Sequence, residues 1–381
     1  MTALPLSPGE TAEPKLGPSL GARVGEFLLT GGITPILFLV SWLMRKSLGL
    51  DAAEYAVGFT MFHAAHVIND PHFTVTYCLF YEDAKNRAFG DAFPRGQRLR
   101  YVLVAIVVPL VLVGWAAIAL AMKSAVTLGA LIQIMFLLVG WHYVKQGFGV
   151  MTVLSARRGV FYSPRERFAL LAHCFAGWAY AWASPADPGT EVEEKGVVFK
   201  TWARSLLLER LTFAVFLATI PPLAFLLFRK WRREGRLPIS TPLMALLCSV
   251  WAWSIYSGID PLVRYVNPAL HSLQYLFMVR LLKGNEAKEK EGPPHFEMSK
   301  RARLGLLAAT ALGLGLVVFH GAPQALDAIL VAKKDRFTDL GPTPYFAAIY
   351  VVVNLHHYFM DTVLWRKENP KTRYLRDAPD A

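Results

Sequence analysis

Residues 55–80 read YAVGFTMFHAAHVINDPHFTVTYCLF, a largely apolar segment long enough to cross a bilayer that nevertheless carries His63, His66, Asp70 and His72. A helix needs about 20 residues to span about 30 Å of hydrocarbon. Ionisable side chains at that depth are costly and rare, and by default they mark function. His63, His66 and Asp70 stand at i, i+3 and i+7, so on one continuous helix they share a face. Two imidazoles and a carboxylate placed this way are good ligands for iron or another borderline divalent metal, zinc included. Pro71 removes a backbone donor and predicts a bend, with His72 pointing elsewhere, either as a cap for freed backbone groups or in a role of its own.

The same anomaly recurs in three other apolar segments. GWHYVKQGFG (140–149) sets His142, Lys145 and Gln146 on one stripe. A lysine so deep requires an acid, a cavity or the neutral form, and Asp70 and Asp361 are its natural partners. RYVNPALHSLQYLF (264–277) aligns Asn267, His271, Gln274 and Tyr275, and YVVVNLHHYFMDTVLWR (350–366) aligns Asn354, His357 and Asp361. His356 lies about 100° from His357 on a helix, so one of the pair is expected as ligand and the other as its support, bonding a carboxylate or carbonyl. Histidines sit within about one turn of the midpoint of all four segments. The candidate metal ligands are therefore His63, His66, Asp70, His142, His271, His356, His357 and Asp361. Lys145 would tune charge, and Tyr143 or Tyr275 could donate a proton. His173 lacks a polar companion on its face, His320 lies at the outer end of its segment, and His295 lies in a loop; these three are expected outside the site.

The rest of the chain agrees with a membrane protein. It has 381 residues, 54% hydrophobic and only 18% charged, too little charge for the surface of a soluble domain of this length. The expected fold is all-α, a polytopic helix bundle of about ten transmembrane spans near 25–44, 55–80, 101–122, 125–154, 166–184, 206–228, 241–257, 262–282, 303–324 and 345–366. Pro221–Pro222 predicts a kink in the sixth. The net charge of +12 could suggest nucleic acid, but the cations cluster in short loops. Loops after even-numbered spans, with the C-terminal tail, hold more than twice the Lys/Arg of the others, RKWRREGR (229–236) being the densest run. This distribution places both termini in the cytoplasm. Residues 1–22 read as a flexible cytosolic tail, 23–366 as a single transmembrane domain and 367–381 as a second tail. Short surface helices are expected at about 191–205 and 325–334, and a solvated linker at 283–303. The three cysteines give no disulfide framework and no CxxC site.

The HxxH of His63–His66 and the paired His356–His357 resemble the histidine-rich membrane non-haem iron oxygenases, of desaturase and hydroxylase type, while FHAAHVIND, GWHYVKQGFG and PALHSLQYL, but not NLHHYFMD, carry a second, looser likeness. Single histidines on several spans are loosely similar to the Brp/Blh-type carotene-cleaving dioxygenases. The boxes differ from the HxxxH and HxxHH of the desaturases, and the likeness covers motif regions only. It implies a non-haem iron oxidoreductase acting on a lipid or isoprenoid substrate within the bilayer, with an electron-donor protein as a further partner and no nucleic acid. Two other readings remain open at this point: a b-type haem electron carrier, and a metal-ion or proton transporter, so haem or another divalent metal stays an alternative to iron.

Overall fold

A computed structural model describes residues 19–184, 189–235, 241–255, 261–332, 335 and 338–376; the expected tail over residues 1–18 and residues 377–381 lie outside them. The described chain is helical apart from one hairpin. In order it forms α1 (Leu20–Phe27), α2 (Thr34–Leu48), α3 (Leu50–Ala65), α4 (Asn69–Tyr81), α5 (Ala84–Phe89), α6 (Arg95–Val102), α7 (Val108–Ala121), α8 (Ala125–Arg157) and α9 (Pro164–Ala183). Strands β1 (Glu191–Glu194) and β2 (Val197–Lys200) follow. Then come α10 (Leu206–Glu234), α11 (Thr241–Val250), α12 (Pro261–Glu291), α13 (Lys300–Leu316), α14 (Ala322–Leu330), α15 (Pro344–Leu364) and α16 (Arg373–Arg376).

Four of the described helices are long and apolar enough to cross a membrane: Arg95–Ala121, Ala125–Arg157, Leu206–Glu234 and Lys300–Leu330, or five if Leu20–Gly32 and Thr34–Leu48, bent by 63°, form one span. Ten spans are not supported. The expected span 55–80 breaks at residues 66–68 into α3 and α4, and α15, though 21 residues long, is diluted by Asn354, His356, His357 and Asp361. The outward faces of α7, α10 and α13 are apolar, with Leu110, Val111, Leu211, Val215, Leu306 and Leu316 all exposed, as lipid-facing helices require. Helix α10 continues through Pro221–Pro222.

Three prolines shape the bundle by a common device. Pro109 cannot donate to the Ala105 carbonyl, and the helix ahead of it widens into a π-turn over Leu103–Val107, with the Val108 N–H bonding the Leu103 carbonyl. The carbonyls of Val104 and Ala105 are thereby released. The Tyr81 hydroxyl donates to the second at 3.0 Å, and His356 Nε2–H donates to the first at 2.9 Å. Pro35 follows a π-turn over Leu28–Gly32; there the Gly31 carbonyl accepts from the Thr34 hydroxyl at 2.6 Å and the Thr30 carbonyl from Gln274 Nε2 at 2.7 Å. Pro323 follows a third π-turn, Val317–Gly321, which contains His320.

Two loop expectations are corrected. Residues 191–200 form an antiparallel hairpin, not a surface helix, because Lys195 and Gly196 both take positive φ, 54° and 84°, the conformation of a tight hairpin turn. The hairpin is pinned by Val198 N–H to the Asp339 carbonyl at 2.7 Å and by the Thr343 hydroxyl to the Lys195 carbonyl at 3.0 Å. The linker expected from residue 283 is helical as far as Glu291, where α12 ends. The expected surface helix near 325–334 is α14, which continues α13.

The C-terminal segment does not hang free either: Tyr374 and Leu375 are buried with Leu154, Met278 and Leu282. An ion network fixes it. Lys283 Nζ lies 2.7 Å from Glu286 Oε2 and 2.9 Å from Glu82 Oε2, and Lys371 Nζ lies 2.7 Å from Glu82 Oε2 and 3.4 Å from Glu286 Oε1. Burial alone would push the Glu286 carboxyl up, but Lys283, Lys371 and Lys290 outweigh it and hold it at about 2, below its usual 4.5. A lowered carboxylate pKa stabilises the fold above the unfolded value and loses that contribution as pH falls through the folded value. Glu286→Gln should therefore cost about 3 kcal/mol at pH 7. The cost should shrink below pH 4.5 and vanish near 2 in detergent-solubilised unfolding curves; a pH-independent cost would contradict the ion-pair account.

Candidate metal centre

Four imidazoles from four helices converge in the interior: His72 on α4, His142 on α8, His271 on α12 and His357 on α15, all buried, with one ring nitrogen from each within 4.8 Å of the others. His142 Nε2 lies 3.0 Å from His271 Nε2 and 3.2 Å from His357 Nε2. Ring centroids are 5.0 Å apart for His72 and His271 and 4.4 Å for His72 and His357.

His72 comes to the centre because the helix breaks. Within one long helix the Pro71 ring would clash with the carbonyl four residues earlier. The chain instead turns at residues 66–68 and restarts at Asn69, which puts Pro71 in a first turn, where it is tolerated. Helix α4 is then buried over almost its whole length.

The surroundings of His72 fix its tautomer. The Ser272 hydroxyl donates to Asn69 Oδ1 at 3.0 Å, so its oxygen can only accept from His72 Nδ1–H at 3.2 Å. This leaves Nε2 of His72 as a bare lone pair, and that atom is buried without a hydrogen-bond partner among the described residues. A hydrogen bond on the far nitrogen is the usual way a metal-binding imidazole is oriented. On α12, Gln146 Nε2 donates to the His271 carbonyl and to Gln274 Oε1, each at 3.0 Å. Asp361 Oδ2 lies 3.8 Å from Nε2 of both His142 and His357, and Asp361 Oδ1 accepts from Tyr275 at 3.2 Å and Trp365 Nε1 at 3.0 Å. The carboxylate thus keeps one oxygen facing the cluster.

Of the remaining expected site residues, Tyr143 and Tyr275 pack against the cluster and the others fall elsewhere. His356 donates from Nε2 to Val104 and so accepts at Nδ1 from the Tyr77 hydroxyl at 3.0 Å; both nitrogens are committed, and it points away from the centre. His63 packs edge-on against Phe59 and Phe62. Asp70 meets His320 at 2.8 Å and His66 at 3.5 Å, apart from the four-histidine group. Lys145 is exposed and, among the described residues, has no carboxylate in ion-pair reach, because the exposed side of α8 carries it away from Asp70 and Asp361. Tyr143 packs on His271 at 4.5 Å between centroids, and Tyr275 packs on His72 at 4.6 Å. His173 is held by Thr219 and Trp251, outside the centre.

A cavity of about 940 Å³ adjoins the cluster. Its wall includes His72 and His271, the aromatic rings of Phe73, Phe136, Tyr143, Trp182, Trp253 and Tyr350, and, at the hairpin, Glu193, Glu194 and Lys195. No family model, no curated protein and no solved structure matches the chain.

Ser272→Ala should strand both His72 Nδ1–H and Asn69 Oδ1. It should cost about 1–3 kcal/mol of stability and weaken divalent-metal binding about 10–100-fold, read from thermal melting and metal titration of the purified chain. Unchanged metal affinity would remove Ser272 from the orienting role.

Proposed function

We propose that this protein is a membrane-embedded, metal-dependent oxidoreductase of the non-haem iron type that acts on a lipid or isoprenoid. The observation that carries this reading is the convergence of four buried imidazoles, one from each of four helices, two of which (His72 and His271) line a large cavity. Two nitrogens about 2.1 Å from one ion stand about 3.0 Å apart at a right angle and about 3.4 Å apart at a tetrahedral one. The 3.0 and 3.2 Å separations around His142 fall between these limits, so both pairs fit one shared ion, and an imidazole set beside a carboxylate suits a first-row divalent cation such as iron. Ferrous iron held by imidazoles with an open position supplies oxygen-activating redox chemistry.

The protein's own groups would do the rest. His72, His142, His271 and His357 bind, and Ser272 with Asn69 holds the His72 ring in register. Asp361 offers a carboxylate oxygen toward the cluster, and the Tyr275 hydroxyl reports to it through Asp361 Oδ1. Tyr143, on His271 and facing the cavity, is placed to meet a bound substrate. The aromatic part of the wall favours an occupant with an apolar portion. Haem is a poorer fit, because axial imidazoles must stand on opposite faces of a macrocycle, whereas these nitrogens crowd together. The basic run from Arg229 supports cytoplasmic placement of that end of α10. An electron-donor protein would dock on the same side.

The test compares metal content and membrane lipids. His142→Ala, His271→Ala and His357→Ala should each lose the iron held by the four-histidine centre and restore the lipid profile of cells lacking the protein. His356→Ala should keep the iron yet unfold more easily, by about 1–3 kcal/mol for its two buried hydrogen bonds. A wild-type protein with a Soret band, or His142→Ala with full iron content, would sink the reading.

A further inference from the structure

The cavity has a second group of metal-ligating side chains that the four-histidine centre does not use. His66 ends α3, Asp70 sits in the first turn of α4, and His320 lies in the π-turn ahead of Pro323. One ligand atom from each lies within 4.8 Å of the other two. His320 Nε2 is 2.8 Å and His66 Nδ1 3.5 Å from the same oxygen, Asp70 Oδ2, and the two imidazole rings meet edge to face at 4.2 Å. His66 Nδ1 is buried and has no hydrogen-bond partner among the described residues. All three residues line the same cavity as His72 and His271.

The backbone is built to bring these groups together. Helix α13 approaches α4 at Gly315, where an added Cβ would come within 3.1 Å of Asp70 Cβ and 3.3 Å of the Asp70 carbonyl carbon. The Thr74 hydroxyl donates across the same contact to the Ala311 carbonyl at 2.6 Å. The π-turn one step further on adds a residue to the helical circuit, so His320 is re-aimed toward α4. Such single widened turns occur often at functional sites. An ordinary structural ion pair would need one histidine; here a second imidazole is directed at the same carboxylate, with its nitrogen otherwise unpaired.

We propose that His66, Asp70 and His320 form a second divalent-cation site, distinct from the four-histidine centre and sharing its cavity. Two imidazoles and one carboxylate leave coordination positions open and suit a first-row cation such as ferrous iron or manganese. His66 and His320 are part-exposed, at 29% and 23% of their side chains, so those positions face the cavity and can take a polar group of its occupant or water. One cation would thus sit among four neutral imidazoles and the other on an anionic two-histidine set.

The two sites are separable by stoichiometry. The purified full chain in detergent, stripped with chelator and titrated anaerobically with ferrous iron, should bind two ions per chain by elemental analysis. His320→Gln and His66→Gln should each bind one, His142→Gln should bind one, and the His66→Gln/His142→Gln double variant none. His66 lies at the edge of the cavity, so His66→Gln keeps the test decisive if His320→Gln fails to fold. One ion in the wild type, lost in His142→Gln and kept in His66→Gln, would overturn the second site and leave the first intact. No ion in the wild type would overturn both.

Discussion

Four imidazoles facing one another in a dry interior constrain everything around them. A neutral imidazole has one N–H and one lone pair, and His142 Nε2 has two other Nε2 atoms within 3.2 Å. The two contacts compete for the single N–H or lone pair on His142 Nε2, so only a forked bond can serve both, and His72 Nε2 has its lone pair fixed by the Ser272–Asn69 relay. Buried polar atoms left unpaired are expensive. A single cation at the convergence would draw on the lone pairs of all four, and the arrangement is that of a group able to hold a metal ion. The far side supports this for His72, whose Nδ1–H is held by Ser272, while Gln146 holds the His271 backbone.

Holding four side chains from four helices to one point requires departures from straight helices, and the chain makes them with proline. Pro71 forces the restart that delivers His72. Pro35, Pro109 and Pro323 each follow a π-turn, and in the first two the released carbonyls are taken by side chains of the supporting layer: Gln274 on α12 and His356 beside the ligand His357. The freed backbone groups would otherwise be unsatisfied in an apolar medium. The same device that bends the helices therefore also supplies acceptors that lock the helices bearing His271 and His357 in place.

Much of the centre was legible in the sequence. His142, His271 and His357 stand out as mid-segment imidazoles with polar residues on the same helical face, and one member of the His356–His357 pair could be expected to serve as support. His72 was not legible, because helical periodicity was carried across Pro71 as though residues 55–80 were one helix. That single assumption put His63, His66 and Asp70 on one face and turned His72 away. The missed signal was Pro71 itself: a clash with the carbonyl four residues back is relieved as readily by restarting the helix as by bending it. The pairing of His320 with Asp70 depends on a contact 250 residues apart in the chain, and spacing within one segment carries no information about that.

The sequence count of ten includes the site helices α12 and α15, whereas only four described helices, or five with the bent pair, are long and apolar enough to cross a membrane. A polar centre inside a membrane has to be shielded, so the helices carrying it face inward and the helices around them face lipid. The lipid-facing set, α7, α10 and α13, is rich in exposed Leu, Val and Phe; the site helices α4, α12 and α15 carry Asn, His, Gln and Asp on their buried faces. Hydropathy measures the first set well and undervalues the second, because a helix hidden from lipid no longer needs an apolar surface. The segments whose composition departs furthest from a plain membrane span are therefore where the chemistry lies. In this chain, two of the polar residues that dilute α15, His357 and Asp361, are the ones it turns toward the four-histidine cluster.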